Sequence, residues 1–282
     1  MLESSLIDKL IELALAEDLA EGDITSKLTL DPEQVGKAEI LAKENLIFCG
    51  GFLIERIIRS YRSNLKVKLN FAEGDAIKQG QIIGELAGRV VDLLSLERTI
   101  LNFLQHMSGI ATHAKRLSEK AAPLVLLDTR KTTPGWRLLE KYAVKVGGAK
   151  NHRMSLGDMI LIKDNHIDAC GGIKATLEKV YRDKPADMPV EIEVRDLKEL
   201  NQALEFKPNI IMLDNMSYDD MEAAINIVNE KSPATELEVS GGVNIDNFKD
   251  LNRIGAKLAS MSALSIQAMP VDISMKITKS SG

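Results

Sequence analysis

Cysteine and aromatic residues are scarce in this 282-residue chain, and each shortage removes a class of protein. Two cysteines, Cys49 and Cys170, cannot build a disulfide framework, and no C-x-x-C pair offers a zinc site. They read as reduced thiols of a cytosolic protein. One Trp, four Tyr and six Phe give no series of platforms on which bases or sugars would stack. No apolar run approaches the roughly 18 residues that span a bilayer. The start, Met-Leu-Glu-Ser-Ser, has neither a basic nor a continuous apolar region, so no signal peptide is expected. Positive charge is not in excess: 36 basic against 41 acidic residues leave a net charge of −5, a poor match for nonspecific nucleic-acid binding. What remains is ordinary, with 45% hydrophobic and 27% charged residues, which excludes a disordered or fibrous chain. The length fits one large or two modest domains at roughly 100–200 residues each. An anionic ligand would require a local basic cluster set against the acidic whole.

The chain changes rhythm near its middle. Leu6, Ile7, Leu10, Ile11, Leu13 and Ala14 recur at helical spacing, and residues 17–26 read as a polar turn. Residues 36–48 and 65–71 alternate as strands around a helix from Phe52 to Tyr61. Turn signals at residues 73–75 and 79–81 flank short strands. Residues 94–121 form one long helical pattern with Gly109 as a weak point. From residue 124, six short apolar runs recur, each ending in a polar residue and followed by a helical pattern. Five end at Asp128, Lys163, Asp214, Ser240 and Ser260, and the sixth, Val190 to Val194, alternates strictly with Glu191 and Glu193 before the charged Arg195. Such alternation argues for a parallel sheet, and without a G-x-G-x-x-G fingerprint a barrel is favoured over an open dinucleotide-binding sheet. The segment is too short for the roughly 250 residues of a full barrel, so an incomplete α/β barrel is expected. The expected domains are an N-terminal α+β sandwich over residues 1–115 and a barrel over 116–267. Residues 268–282 are a candidate to return to the first domain.

Functional groups of such barrels sit where strands end. One mouth would gather Arg130, Lys131, Arg153 and Lys163 with His152, facing the carboxylates Glu193 and Asp214. That suits a small polyanion, because guanidinium forks pair with carboxylates and phosphates. Each residue alone has a plainer reading. A single Lys or Arg is usually a solvated charge. His166 reads as a helix-start or core histidine, and His106 and His113 as packing or surface positions. Glu191 and Glu193 alternate with Val190, Ile192 and Val194 and so face the barrel interior, where one is a candidate partner for a buried lysine. Ser240-Gly241-Gly242 is a turn that also frees backbone N–H groups for phosphate.

Several runs carry a family resemblance: Asp128-Thr129-Arg130-Lys131-Thr132-Thr133-Pro134-Gly135, Glu140-Lys141-Tyr142-Ala143-Val144, Asn151-His152-Arg153 and Leu161-Ile162-Lys163-Asp164-Asn165-His166. With Gly22-Asp23-Ile24-Thr25-Ser26, Glu97-Arg98-Thr99, Met212-Leu213-Asp214-Asn215 and Ser240-Gly241-Gly242, the chain resembles quinolinate phosphoribosyltransferase along nearly its whole length. The resemblance implies an open-faced sandwich plus an incomplete barrel in a homodimer or larger homo-oligomer. It implies transfer of phosphoribosyl from phosphoribosyl pyrophosphate (PRPP) to quinolinate, with Mg2+, giving nicotinate mononucleotide, pyrophosphate and CO2 for de novo NAD synthesis in the cytoplasm. Arg130, His152, Arg153 and Lys163 match its quinolinate site, and Arg98 matches an arginine supplied by the neighbouring subunit. Lys131, Ser240, Gly241, Gly242, Ser260 and Ser262 match PRPP-binding positions, and Glu193 and Asp214 those that hold ribose hydroxyls and metal. Lys131, Lys163, Glu193 and Asp214 are the expected catalytic group. The chain departs from the family's last phosphate loop, with Ser262 for glycine and Ile266 for histidine, and Ala149 stands where many members have glycine. Two alternatives stay open: a relative acting on another acidic heterocycle, and a non-catalytic PRPP-binding paralogue. No nucleic-acid or membrane partner is expected.

Overall fold

A computed structural model describes residues 5–279. The chain divides into two compact units. One comprises residues 1–116, 132–148 and 264–282; the other comprises 117–131 and 149–263. The division differs from the expected domains at residues 132–148, which group with the first unit although they lie inside the expected barrel span. Residues 1–4 and 280–282 of the expected domains lie outside the described residues. The strands, in chain order, are β1 (Val35–Ala42), β2 (Leu46–Ile47), β3 (Lys66–Leu69), β4 (Ala76–Ile77), β5 (Ile82–Arg89), β6 (Val125–Leu127), β7 (Ile160–Ile162), β8 (Val190–Val194), β9 (Ile210–Asp214), β10 (Glu236–Ser240), β11 (Leu258–Ser260) and β12 (Ile273–Lys279).

In the first unit an antiparallel sheet runs β12-β1-β5-β3, so the last described strand pairs with the first. Along β1, Gly36, Ala38, Ile40 and Ala42 are buried while their neighbours are not, the period-two pattern of a sheet with one covered face. The helix Gly51–Ser60 buries Leu53, Ile54, Ile57 and Ile58, and the Glu73 carboxylate accepts the N–H groups of Gly50 and Gly51 at its start. Where a polar turn was expected, the helix Ser5–Leu19 extends further, and a short helix, Ile24–Thr29, follows. Asp23 caps that short helix by accepting the Ser26 N–H; the Ser26 hydroxyl, which also donates to it, and then that N–H hold its carboxyl below the usual range. The long helix Val90–Ala121 is unbroken at Gly109. A Cβ there would come within 2.2 Å of the Met269 carbonyl oxygen, so this glycine admits a close backbone crossing and is not a weak point.

In the second unit six parallel strands pair in the order β6-β11-β10-β9-β8-β7. All six expected strands are present. The edge strands β6 and β7 are not paired with each other, although a bridge from Leu127 to Lys150 adds the following loop beside β6. Residues near both edges line one common cavity, so the sheet is curled into an incomplete barrel. Every residue of β8 is buried, with Val190, Ile192 and Val194 alternating with Glu191 and Glu193. Helices follow the strands in turn, started by side chains such as Asp196 and Ser217, which accept the N–H groups of Glu199 and Asp220. Among the described residues, no helix is long and apolar enough to cross a membrane.

Candidate active site

Strand register sets the site. Glu193 is level with Met212, Met212 with Glu238, and Asp214 with Ser240 across the parallel ladder. Residues in register share a face, so one carboxylate-rich stripe runs along the inner side of the sheet. Asp128, just past β6 and only 1% exposed, accepts the backbone N–H of His152 at 2.9 Å. Its own N–H donates to the Lys150 carbonyl at 3.0 Å. These bonds bring the loop carrying His152 and Arg153 to the strand ends.

There a cavity of about 350 Å³ is lined by Arg130, Lys131, His152, Arg153, Lys163 and Glu193, with Ser240 and Ser260 beside them. That is the low end of the usual size for a small-ligand site. A slightly larger cavity, about 400 Å³, lies at the opposite strand ends, lined by Val125, Val228, Leu237, Ala256 and other mostly apolar residues. It has no convergent cations, so the chemistry selects the smaller one. Burial, and then the neighbouring Arg130, lower the affinity of the Arg153 guanidinium for its proton. Two like charges are thus held together in a partly dry wall, as a site awaiting a polyanion would be. The Lys163 ammonium donates to the Glu193 carboxylate. The interior partner expected for Glu191 or Glu193 is therefore Lys163. Its side chain is 44% exposed rather than buried, because it stands at the rim.

Below the rim lies a feature the sequence reading did not single out. The Arg153 N–H donates to His152 Nδ1 at 2.7 Å. Nδ1 therefore carries a lone pair, and the neutral ring holds its proton on Nε2. Nε2 faces Glu191 Oε2 at 3.0 Å and Glu238 Oε2 at 3.7 Å. Both glutamates are fully buried. Burial, and then the Glu191 charge, push the Glu238 carboxyl up to about 7. The Glu-x-Glu alternation of β8 recurs in β10 as Glu236-x-Glu238, which was the available signal for an inward Glu238.

The remaining expected site residues are spread more widely. Asp214 is half-buried at the end of β9 and accepts the Asn215 side-chain amide at 2.9 Å. Gly241 and Gly242 border an adjacent hollow with Asn215. Gly241 has a left-handed φ of 89°, and a Cβ would sit 2.1 Å from Asn215 Oδ1, so only glycine fits. Ser262 is half-buried, just past β11. Arg98 is exposed in the first unit, beside a hollow shared with Glu17, Asp18, Asn102 and Trp136. His166 Nδ1 accepts the Lys163 N–H at 2.9 Å, the helix-start role expected of it. His106 lies 3.4 Å from the buried Glu140 carboxylate and against Trp136, a polar partner as well as a packing position.

Comparison with known proteins gives consistent results. Residues 23–108 match the family model for the quinolinate phosphoribosyl transferase N-terminal domain, and residues 110–276 that for its C-terminal domain. A tobacco (Nicotiana tabacum) protein named quinolinate phosphoribosyltransferase [decarboxylating] 1b is 38% identical over 95% of this chain and 81% of its own length. A Synechocystis protein named probable nicotinate-nucleotide pyrophosphorylase [carboxylating] is 35% identical over 97% of this chain and 93% of its own. The solved nicotinate-nucleotide pyrophosphorylase of Francisella tularensis superposes with a TM-score of 0.90 at 36% identity, covering 97% of this chain and 96% of that one. NadC from Streptococcus pyogenes superposes at 0.92 with 34% identity, covering 97% of each chain.

Proposed function

This chain belongs to the quinolinate phosphoribosyltransferase family, and from that premise we infer how its barrel mouth works. It is a decarboxylating phosphoribosyltransferase of NAD biosynthesis: quinolinate and PRPP become nicotinate mononucleotide, pyrophosphate and CO2. The observation that carries the mechanistic reading is the set of four cations, Arg130, Lys131, Arg153 and Lys163, around one small cavity.

Quinolinate is a planar dicarboxylate. The Arg130 and Arg153 forks and the Lys163 ammonium are its recognition groups, since paired hydrogen bonds fix a flat anion in one plane. His152 forms the wall beside them, both ring nitrogens being engaged by protein groups. Lys131, exposed at the rim, takes the pyrophosphate side of PRPP, with Ser240, Gly241, Gly242, Ser260 and Ser262 along the phosphate loops. Glu193, steadied by Lys163, faces the ribose and stabilises positive charge that develops at its anomeric carbon. The oxygen donors Asp214 and Glu193 suit a hard divalent cation, which typically takes one or two carboxylates plus substrate phosphates. Magnesium bound there would neutralise charge on the leaving pyrophosphate.

A product assay tests this reading. With PRPP and magnesium, quinolinate should yield nicotinate mononucleotide and CO2, and nicotinate offered in its place should react far more slowly. Equal turnover of nicotinate would overturn the assignment of the arginine pair.

The reading includes a homodimer, in the cytoplasm, in which Arg98 of one subunit reaches the mouth of the other. Arg98→Ala and Lys163→Ala proteins should each be inactive alone and regain activity on subunit exchange. Half of randomly reassorted dimers are mixed and one of their two sites is intact, so about a quarter of wild-type activity is expected. Exchanged heterodimers without recovery would sink the shared site.

A further inference from the structure

A strained residue stands where the end of β9 meets the turn after β10. Asn215 has a φ of 53°, in the left-handed region that residues other than glycine adopt at a cost. Among the described residues, Arg62 and Lys207 share that conformation. Both lie just past helices, Gly51–Ser60 and Leu197–Leu204, where it is routine. Asn215 instead follows a strand directly.

Three contacts hold it there. Its N–H donates to the Ser240 carbonyl at 2.9 Å, beside the pair in which Asp214 is level with Ser240. Its side-chain Nδ2 donates to Asp214 Oδ2 at 2.9 Å. Its Oδ1 and Cγ lie against Gly241, in the space that a Cβ there would need. The far end of the same turn is held separately, since the Gly242 carbonyl accepts the side-chain amides of Asn244 and Asn247 at 2.9 and 3.0 Å. Asp214 itself lies two residues beyond Met212 and level with Ser240, and both of those line the mouth. Alternate residues of a strand share a face, so Asp214 belongs to that same side.

We propose that Asn215 is a positioning residue for PRPP and its cation: one side-chain amide aims the Asp214 carboxylate and seats the Gly241 turn, so that metal and phosphate bind as a coupled pair. This rests on the reading above of Asp214 as a metal ligand and of residues 240–242 as part of a phosphate loop. An aspartate at a strand end can turn about two side-chain bonds. A hydrogen bond to Oδ2 stops that rotation and leaves Oδ1 for a hard cation. An amide has both groups the place requires, a donor for the carboxylate and an uncharged oxygen against the turn. Asparagine is also one of the few residues besides glycine that visit the left-handed region routinely.

The test is PRPP binding by calorimetry, with and without magnesium and with no quinolinate present. Its readout is the ratio of the two dissociation constants, which measures the coupling between cation and phosphate. Asn215→Gly keeps the backbone conformation and removes the amide. In that variant the ratio should fall about tenfold, the scale of one hydrogen bond to a charged group. Asn215→Asp also tolerates the left-handed backbone, but it sets a second carboxylate beside Asp214. There PRPP should bind more weakly without magnesium, and the ratio should rise about threefold or more, because added carboxylates raise affinity for a hard cation. Opposite shifts are the signature of positioning, whereas a residue that only holds the fold would lower both affinities alike. The melting shift caused by quinolinate should stay close to wild type in both variants, since other residues line the cationic cavity. An unchanged ratio in Asn215→Gly, shifts of the same sign in the two variants, or loss of the quinolinate shift would overturn the proposal. Wild-type protein that binds PRPP equally well with and without magnesium would instead sink the metal reading of Asp214 on which it rests.

Discussion

Replacing Arg153 with methionine is expected to lower kcat/KM for quinolinate by about 10²–10³-fold, the loss of one bidentate, charge-assisted carboxylate contact. Stability of the ligand-free protein should hardly change. Arg153 is partly buried, and burial and Arg130 both oppose its charge, so the apo protein gains little from keeping it. Its side-chain hydrogen bond from Nη1 to the Met159 carbonyl, at 3.4 Å, is long. A bound dicarboxylate reverses this balance, because two close cations then share two anions. The checks are steady-state kinetics and the melting shift caused by quinolinate, which should shrink in the variant because ligand stabilisation scales with affinity. A variant that keeps wild-type kcat/KM would remove Arg153 from substrate recognition.

Lys163→Met is expected to reduce turnover by about 10²–10³-fold while costing only about 1–2 kcal/mol of stability. The lysine joins two tasks, since it lines the mouth and donates to Glu193. Breaking a fully buried ion pair typically costs about 3–5 kcal/mol, but this pair is half open to water and its cost is discounted accordingly. The Glu193 side chain is only 9% exposed, so without its partner it loses the contact that aims it at the ribose. Lys163→Arg should not restore wild-type turnover, because a planar fork cannot reproduce a compact ammonium in a 350 Å³ cavity. Turnover of the methionine variant within tenfold of wild type would refute the double task.

Much of the fold was open to inspection in the linear sequence, for a physical reason. Short apolar runs ending in Asp128, Lys163, Asp214, Ser240 and Ser260 are local patterns, and a parallel strand buried on both faces needs little more than such a run. The strict alternation of residues 190–194 likewise placed Glu191 and Glu193 inward, and both are buried on β8. Local patterns served less well where a neighbour distant in sequence decides the outcome. Gly109 looks like a helix defect until the Met269 carbonyl is seen resting against it. Residues 17–26 look like a turn because the short helix at Ile24–Thr29 depends on a cap at Asp23 that is further held by Ser95.

The acidic, cysteine-poor and aromatic-poor sequence by itself determined the barrel's strand ends, the cationic character of its mouth and, through ordered motifs, the family. Only the tertiary structure decided which groups act on one another. It paired Lys163 with Glu193, placed Arg153 beside Arg130 and turned the His152 proton inward. It also set Glu238 against Glu191 in a buried layer. Composition and periodicity report which way a side chain faces. The state of a carboxyl or an imidazole depends on atoms a few ångströms away, and here those atoms come from segments far apart in the chain, as between the loop residue His152 and the strand residue Glu238, 86 positions later.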